Sequence, residues 1–346
     1  MFRYSCLTIA AALLLAPVVL AEDRVPLIPR DILFGNPDKA QTRLSPDGRW
    51  ISFLAPVNGV LNVWVAPVGK LEQARPVTSE TRRGIHQHNW TYAPDTLLYL
   101  QDQDGDENWQ IFALNVVTCE ARNLIDNPKV TARLQQLSDR HPNELIVGIN
   151  DRDPRFHDLW KVNLLDGRKE LFALNPGKIN DEMVGGFITD EDLKLRFIAT
   201  AANDGGTAVY TVDDTGGFKE YDRVGFEDAM ATDIVGFDAS GKVMYLIDSR
   251  GRDTAALYEL DLATREKKFI ADHPRADAGA VFVHPTTRAI QAVSFNHKRS
   301  EWKVIDPSVQ ADFDYLKTVA DGDFTVTSRT LDDSKWTVAY ILDNGP

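Results

Sequence analysis

The sequence predicts an all-β fold, a seven-bladed β-propeller whose last blade is incomplete. Three observations carry this. A Pro/Gly-type turn recurs, an aromatic within an apolar strand recurs in step with it, and cysteine is almost absent, so stability must come from a packed core. The turn is clearest in "RLSPDGRWISF", Arg43 to Phe53. Proline presets φ for the second position of a turn, and glycine takes backbone angles that other residues avoid. Its second residue falls at Pro46, Pro94, Pro142, Glu191, Ala239, Pro285 and Asp332, with gaps of 48, 48, 49, 48, 46 and 47. The aromatics Trp64, Phe112, Trp160, Tyr210, Tyr258 and Trp302 each trail a turn by 17 to 19 residues. A strand-rich period in the forties is that of propeller blades.

The elements follow in chain order. Residues 1–21, "MFRYSCLTIAAALLLAPVVLA", have a short basic start, an apolar stretch and small residues at Val19 and Ala21. They read as a secretory signal peptide cleaved after Ala21, which implies a periplasmic or secreted product. Residues 22–346 read as the propeller. In each unit the turn joins the first strand to the second, a longer hairpin joins second to third, and the aromatic sits on the third. Leu98, Leu145, Phe197, Tyr245 and Val293 fall on second strands. No amphipathic helix is read between strands. A blade cannot bury both faces alone, so the cores are expected between neighbours, where a buried ring contributes on the order of 2–3 kcal/mol. The seventh unit, "TVTSRTLDDSKWTVAYIL" at 325–342, supplies two inner strands; its aromatic would fall beyond Pro346. The chain therefore reads as a piece of something longer.

The net charge of −13 argues against nucleic acid and anionic membrane surfaces as partners. Of the two cysteines, Cys6 lies in the leader, and Cys119 is expected as a small apolar filler on a strand.

Four stretches carry a more specific signal: "IPRDILFGNP" at 28–37, "LSPDGRWISFLAP" at 44–56, "RGI" at 83–85 with Trp90, and "YLQDQDGDENWQIFALNV" at 99–116. Together they resemble the N-terminal propeller of secreted serine peptidases of the prolyl oligopeptidase family, in its dipeptidyl-aminopeptidase and acylaminoacyl-peptidase branch. The resemblance implies a following α/β-hydrolase domain, in cis or in trans, that carries a Ser-Asp-His triad and acts on short peptides. None of the twelve serines sits in a G-x-S-x-G elbow, the nearest being "FDASG" at Ser240, so no catalytic residue carries over and this chain alone is expected to be inactive.

The hairpin "QDQDGDEN" holds Asp102, Asp104, Asp106 and Glu107. The EF-hand pattern fails, because Gly105 comes two places early and position twelve is Ala113. The resemblance implies that Asp106 and Glu107 pair with a substrate's α-ammonium and that Asn108 bonds a peptide carbonyl; a solvated loop whose acids cap its own turn competes with both readings. "NDRDPRFHD" at 150–158 offers Arg152 and Arg155 to a substrate carboxylate, or to neighbouring aspartates. "HQH" puts His86 and His88 on one face of a strand, without the further ligands zinc needs. No metal or cofactor is expected. Two other functions compete: a stand-alone TolB-like periplasmic scaffold, and a complete propeller enzyme such as a lactonase or glycosidase, which would need convergent acids or metal ligands from several blades.

Overall fold

The computed structural model describes residues 27–213 and 215–343. The signal-peptide segment lies outside them. Residues 1–36 and 37–346 are two separate compact units. In the described part of the first, Arg30–Phe34 form one short helix, started by Pro29, with Ile32, Leu33 and Phe34 exposed. Among the described residues no helix is long and apolar enough to cross a membrane.

The second unit is a β-propeller of six blades and a terminal hairpin. Its antiparallel sheets have 4, 4, 4, 5, 4, 3 and 2 strands in chain order, spanning residues 40–76 (blade 1), 88–123, 132–173, 178–224, 233–271, 278–304 (blade 6) and 322–342. All seven recurrent turns join an innermost strand to the second one. In the first, Ser45 Oγ donates to Asp47 at 2.6 Å, the Gly48 N–H closes the turn on the Ser45 carbonyl at 2.9 Å, and Gly48 takes φ 69°. All six recurrent aromatics lie on third strands. Tyr210 is fully buried, while the other five are half-buried at the blade surfaces. The second-strand residues Leu98, Leu145, Phe197, Tyr245 and Val293 are all buried.

The cores lie between blades, as stacking requires. Leu54, Val63 and Val65 of blade 1 pack with Leu97, Tyr99 and Leu114 of blade 2. Leu98 and Ile111 of blade 2 pack with Leu145 and Val147 of blade 3. The hairpin Gly322–Arg329/Trp336–Leu342 closes onto blade 1: the Leu44 N–H donates to Ser328 Oγ at 2.8 Å, and the Leu331 N–H to the Pro46 carbonyl at 2.8 Å.

The seventh unit is the expected pair of strands, beside six detected blades. Several other expectations are corrected: the blades are not uniformly four-stranded. Blade 4 gains the two-residue strand Lys178–Ile179. Blade 6 lacks a fourth strand, and a helix, Gln310–Val319, follows it. Asp306 and Pro307 explain the switch: the Asp306 carboxylate accepts the Ser308 N–H at 2.9 Å, and proline suits a first helical turn. The helix buries Phe313 and Leu316, three residues apart, against Phe282 and Phe324. Cys119 is an exposed turn residue at φ 61°, not a strand filler; its Sγ accepts from Arg75 at 3.0 Å. His86 and His88 do not share a face, because pairing begins only at His88. His88 is fully buried and contacts Ser52 Oγ through Nε2 at 2.9 Å. Burial, with the nearby Arg43 charge, pulls its pKa down to about 3. Ser52 is buried completely, so this Ser–His pair is a core contact closed to substrate.

Candidate functional site

Consecutive strands in a blade run antiparallel, so the hairpins joining second to third strands emerge on the face opposite the recurrent turns. On that face, blades 2 and 3 enclose a cavity of about 770 Å³. Its walls come from the hairpin of blade 2 (Glu107, Trp109), the innermost strand of blade 3 (Thr131 to Leu134) and the hairpin of blade 3 (Asn150, Pro154, His157), with His86 and Gln87 at the entry to blade 2.

The acidic hairpin turns at Asp104-Gly105. Both residues have positive φ, 54° and 88°, and the Asp106 N–H bonds the Gln103 carbonyl at 3.1 Å, the arrangement that Asp-Gly favours between strands. Buried Asp102 anchors it from below: one oxygen ion-pairs with Arg83, and the other accepts the Glu107 N–H at 3.1 Å. Arg83 in turn lies over the Trp109 ring. Thr131 Oγ1 donates to the Glu107 carbonyl at 2.9 Å. Glu107 is thus clamped on both sides in a left-handed conformation, φ 60°, which costs a side chain with a Cβ roughly 1–2 kcal/mol. Its exposed carboxylate makes no hydrogen bond or ion pair among the described residues and lines the cavity.

The other four residues singled out in the sequence are engaged locally. Asp106 accepts from the N–H groups of Gln103 and Asn108 and from Asn108 Nδ2 at 3.0 Å, and these bonds from Asn108 lower its carboxyl pKa. Asn108 is thereby tied to its own hairpin. Arg152 makes a bidentate pair with buried Asp158, 2.8 Å on both arms, and donates to the Asn175 carbonyl. Arg155 pairs with Asp153 at 2.7 Å and sits over Phe156. None of the four lines the cavity; Glu107 does. Among the described residues no group of three or more His, Cys, Asp or Glu could hold a metal ion, so the acids at 102–107 do not converge as a calcium loop would require. Arg133, Asn150 and His157 were missed as cavity residues. Arg133 is a charge inside a strand motif, which alternation alone could have flagged.

On the opposite face Arg288 cross-links several blades. Arg288, in the turn of blade 6, donates to Asp139 of blade 3 at 2.6 Å and to Glu191 of blade 4 at 2.8 Å. Its carbonyl accepts the Tyr245 hydroxyl of blade 5 at 2.8 Å. This clasp thus joins blades 3, 4, 5 and 6. Arg288→Met is expected to cost about 2 kcal/mol, since it leaves two partly buried carboxylates unpaired. Burial raises the Glu191 pKa and Arg288 opposes that rise. Without the arginine the folded state holds a proton there more tightly than the unfolded state. The deficit, read by urea unfolding, should therefore be largest at neutral pH and shrink toward pH 4–5.

No family model matches the chain. It is 41% identical over 353 residues to dipeptidyl aminopeptidase BIII of Pseudoxanthomonas mexicana, covering 100% of this chain and 50% of that protein. It is 27% identical over 351 residues to dipeptidyl peptidase family member 6 of Caenorhabditis elegans, covering 96% of this chain and 46% of that protein. The chain thus spans about half the length of both relatives. Among solved structures, a prolyl endopeptidase superposes with a TM-score of 0.48 at 11% identity, over 80% of this chain and 45% of the other. The chain is thus similar along its full length to half of a dipeptidyl aminopeptidase, and its fold is a β-propeller.

Proposed function

We propose that this chain is the substrate-selecting propeller of a periplasmic or secreted serine exopeptidase acting on short peptides, and that a C-terminal α/β-hydrolase domain outside this chain supplies the nucleophile. The terminal hairpin is then the inner half of a seventh blade. The observation that carries the reading is the unpaired Glu107 carboxylate, held in a strained conformation at the wall of the cavity. A residue whose backbone is clamped in a strained conformation while its side chain has no partner points to a ligand, and a carboxylate lining a cavity of peptide size suits an α-ammonium. The Arg288 clasp, which ties blades 3, 4 and 6 together on the other face, is consistent with a rigid ring around that cavity.

The test is Glu107→Gln in the protein that carries the hydrolase domain. KM for free-amine peptides should rise by about tenfold or more, the loss of one charge-assisted hydrogen bond. N-acylated substrates should be unaffected. Equal loss for both substrate types would make Glu107 a structural residue and sink the reading.

A further inference from the structure

A second unpaired charge faces the same cavity. Arg133 lies on the innermost strand of blade 3, Ala132–Leu137, and is exposed. Its guanidinium donates no hydrogen bond and forms no ion pair among the described residues. His157 lines the cavity as well, and its Nε2 is buried without a partner. Gly148 brings the two together. It pairs with Arg133 across the strands, and the His157 side chain packs so closely on it that a Cβ there would lie 3.2 Å from His157 Cβ. Burial, and then the Arg133 charge, lower the His157 pKa, so the ring is neutral at neutral pH and can donate from Nε2.

Glu107 stands on the same wall: Thr131, whose hydroxyl holds the Glu107 backbone carbonyl, precedes Arg133 by two residues on one strand face, and Glu107 and Arg133 line one cavity. One free carboxylate and one free guanidinium in a single cavity match a zwitterion. A dianion would be repelled by Glu107, and the planar guanidinium fork matches a carboxylate.

We propose that Arg133 and His157 form a carboxylate-binding subsite, so that the cavity takes a short peptide by its ammonium and by one carboxylate at once. This rests on the reading of Glu107 as the ammonium site. The carboxylate is either the C-terminus of a free dipeptide or the side chain of an acidic second residue.

The test is calorimetric titration of the full 346-residue chain with four probes: Ala-Ala, Ala-Ala-amide, Ala-Glu-amide and N-acetyl-Ala-Ala. The wild type should bind Ala-Ala or Ala-Glu-amide about tenfold more tightly than Ala-Ala-amide, and whichever is preferred identifies the source of the carboxylate. R133Q should bring that ratio close to one, R133K should restore part of it, and H157N should reduce it. E107Q should weaken all three free-amine probes by a common factor and keep the ratio. A ratio that R133Q leaves at its wild-type value, or a wild type indifferent to the carboxylate, overturns the subsite while the ammonium reading stands. N-acetyl-Ala-Ala binding as tightly as Ala-Ala overturns the ammonium reading instead, and absence of binding by every probe overturns both.

Discussion

Phe313→Ala is expected to lower the unfolding free energy by about 3–5 kcal/mol, the cost of removing a large aromatic from a closed core. Phe313 is 0% exposed, and its ring centre lies 5.4 Å from Phe282, 5.6 Å from Trp302, 5.7 Å from Phe324 and 6.1 Å from Trp336. Four rings around one side chain leave no flexible neighbour to collapse into the gap. The helix that carries Phe313 stands where blade 6 would have had its fourth strand, and through this residue it joins blade 6 to the terminal hairpin. A shift of the urea midpoint of the expected size, with an unchanged slope, checks the account. A loss below about 1 kcal/mol would mean that the helix is not part of this core.

Asp248→Asn should cost a comparable amount, about 3–5 kcal/mol, because it removes the buried anion that pairs with two cations. Asp248 ends the second strand of blade 5 and is 1% exposed. It accepts from Arg250 Nε at 2.9 Å and Nη2 at 2.8 Å, and from Lys267 Nζ at 2.5 Å. Arg250 also reaches Asp222 of blade 4 at 2.9 Å, so the network ties two blades. Burial by itself would raise the Asp248 carboxyl, but the hydrogen bonds from Arg250 and Lys267 prevail and hold it well below the usual carboxylate range. Asp158 is lowered in the same way, by Arg152 and the Asn175 N–H against burial. A carboxylate whose folded pKa is depressed stabilises the fold above its unfolded pKa of about 4, and that contribution disappears as pH falls toward the folded value. Wild-type stability should therefore begin to fall below about pH 5 and fall most steeply below about pH 4. Asp248→Asn should be less stable at pH 7 and show a shallower acid slope. A slope unaltered by the substitution would show that Asp248 does not drive the acid loss.

The parts of this molecule legible from sequence are those governed by local chemistry repeated seven times. Turn residues such as Pro46 and Gly48 work within four residues of chain, and strand aromatics such as Trp64 and Trp160 announce themselves by phase. The helix at 310–319 was missed for the converse reason. Its signals, the Asp306-Pro307 start and the Phe313/Leu316 spacing, occur once and lie where the repeat leads one to expect a strand. The site was legible in one hairpin only. Glu107 could be singled out from "DGDEN", but whether each neighbour is free depends on partners distant in sequence or packed from below: Arg152 is bound by Asp158 and Asn175, whereas Arg133 is left open because no acid approaches it across the strands. The clasp through Arg288 joins residues up to 149 positions apart, which no local pattern encodes.

The central claim is that the wall between blades 2 and 3 receives a peptide's free amine. Hydrogen exchange on the chain, with and without saturating Ala-Ala-amide, tests this most directly. The account predicts slowed exchange confined to residues 103–109 and 131–134, absent with the N-acetylated peptide and needing a higher peptide concentration in Glu107→Gln. Protection elsewhere on the propeller, or equal protection by the acetylated peptide, would contradict it.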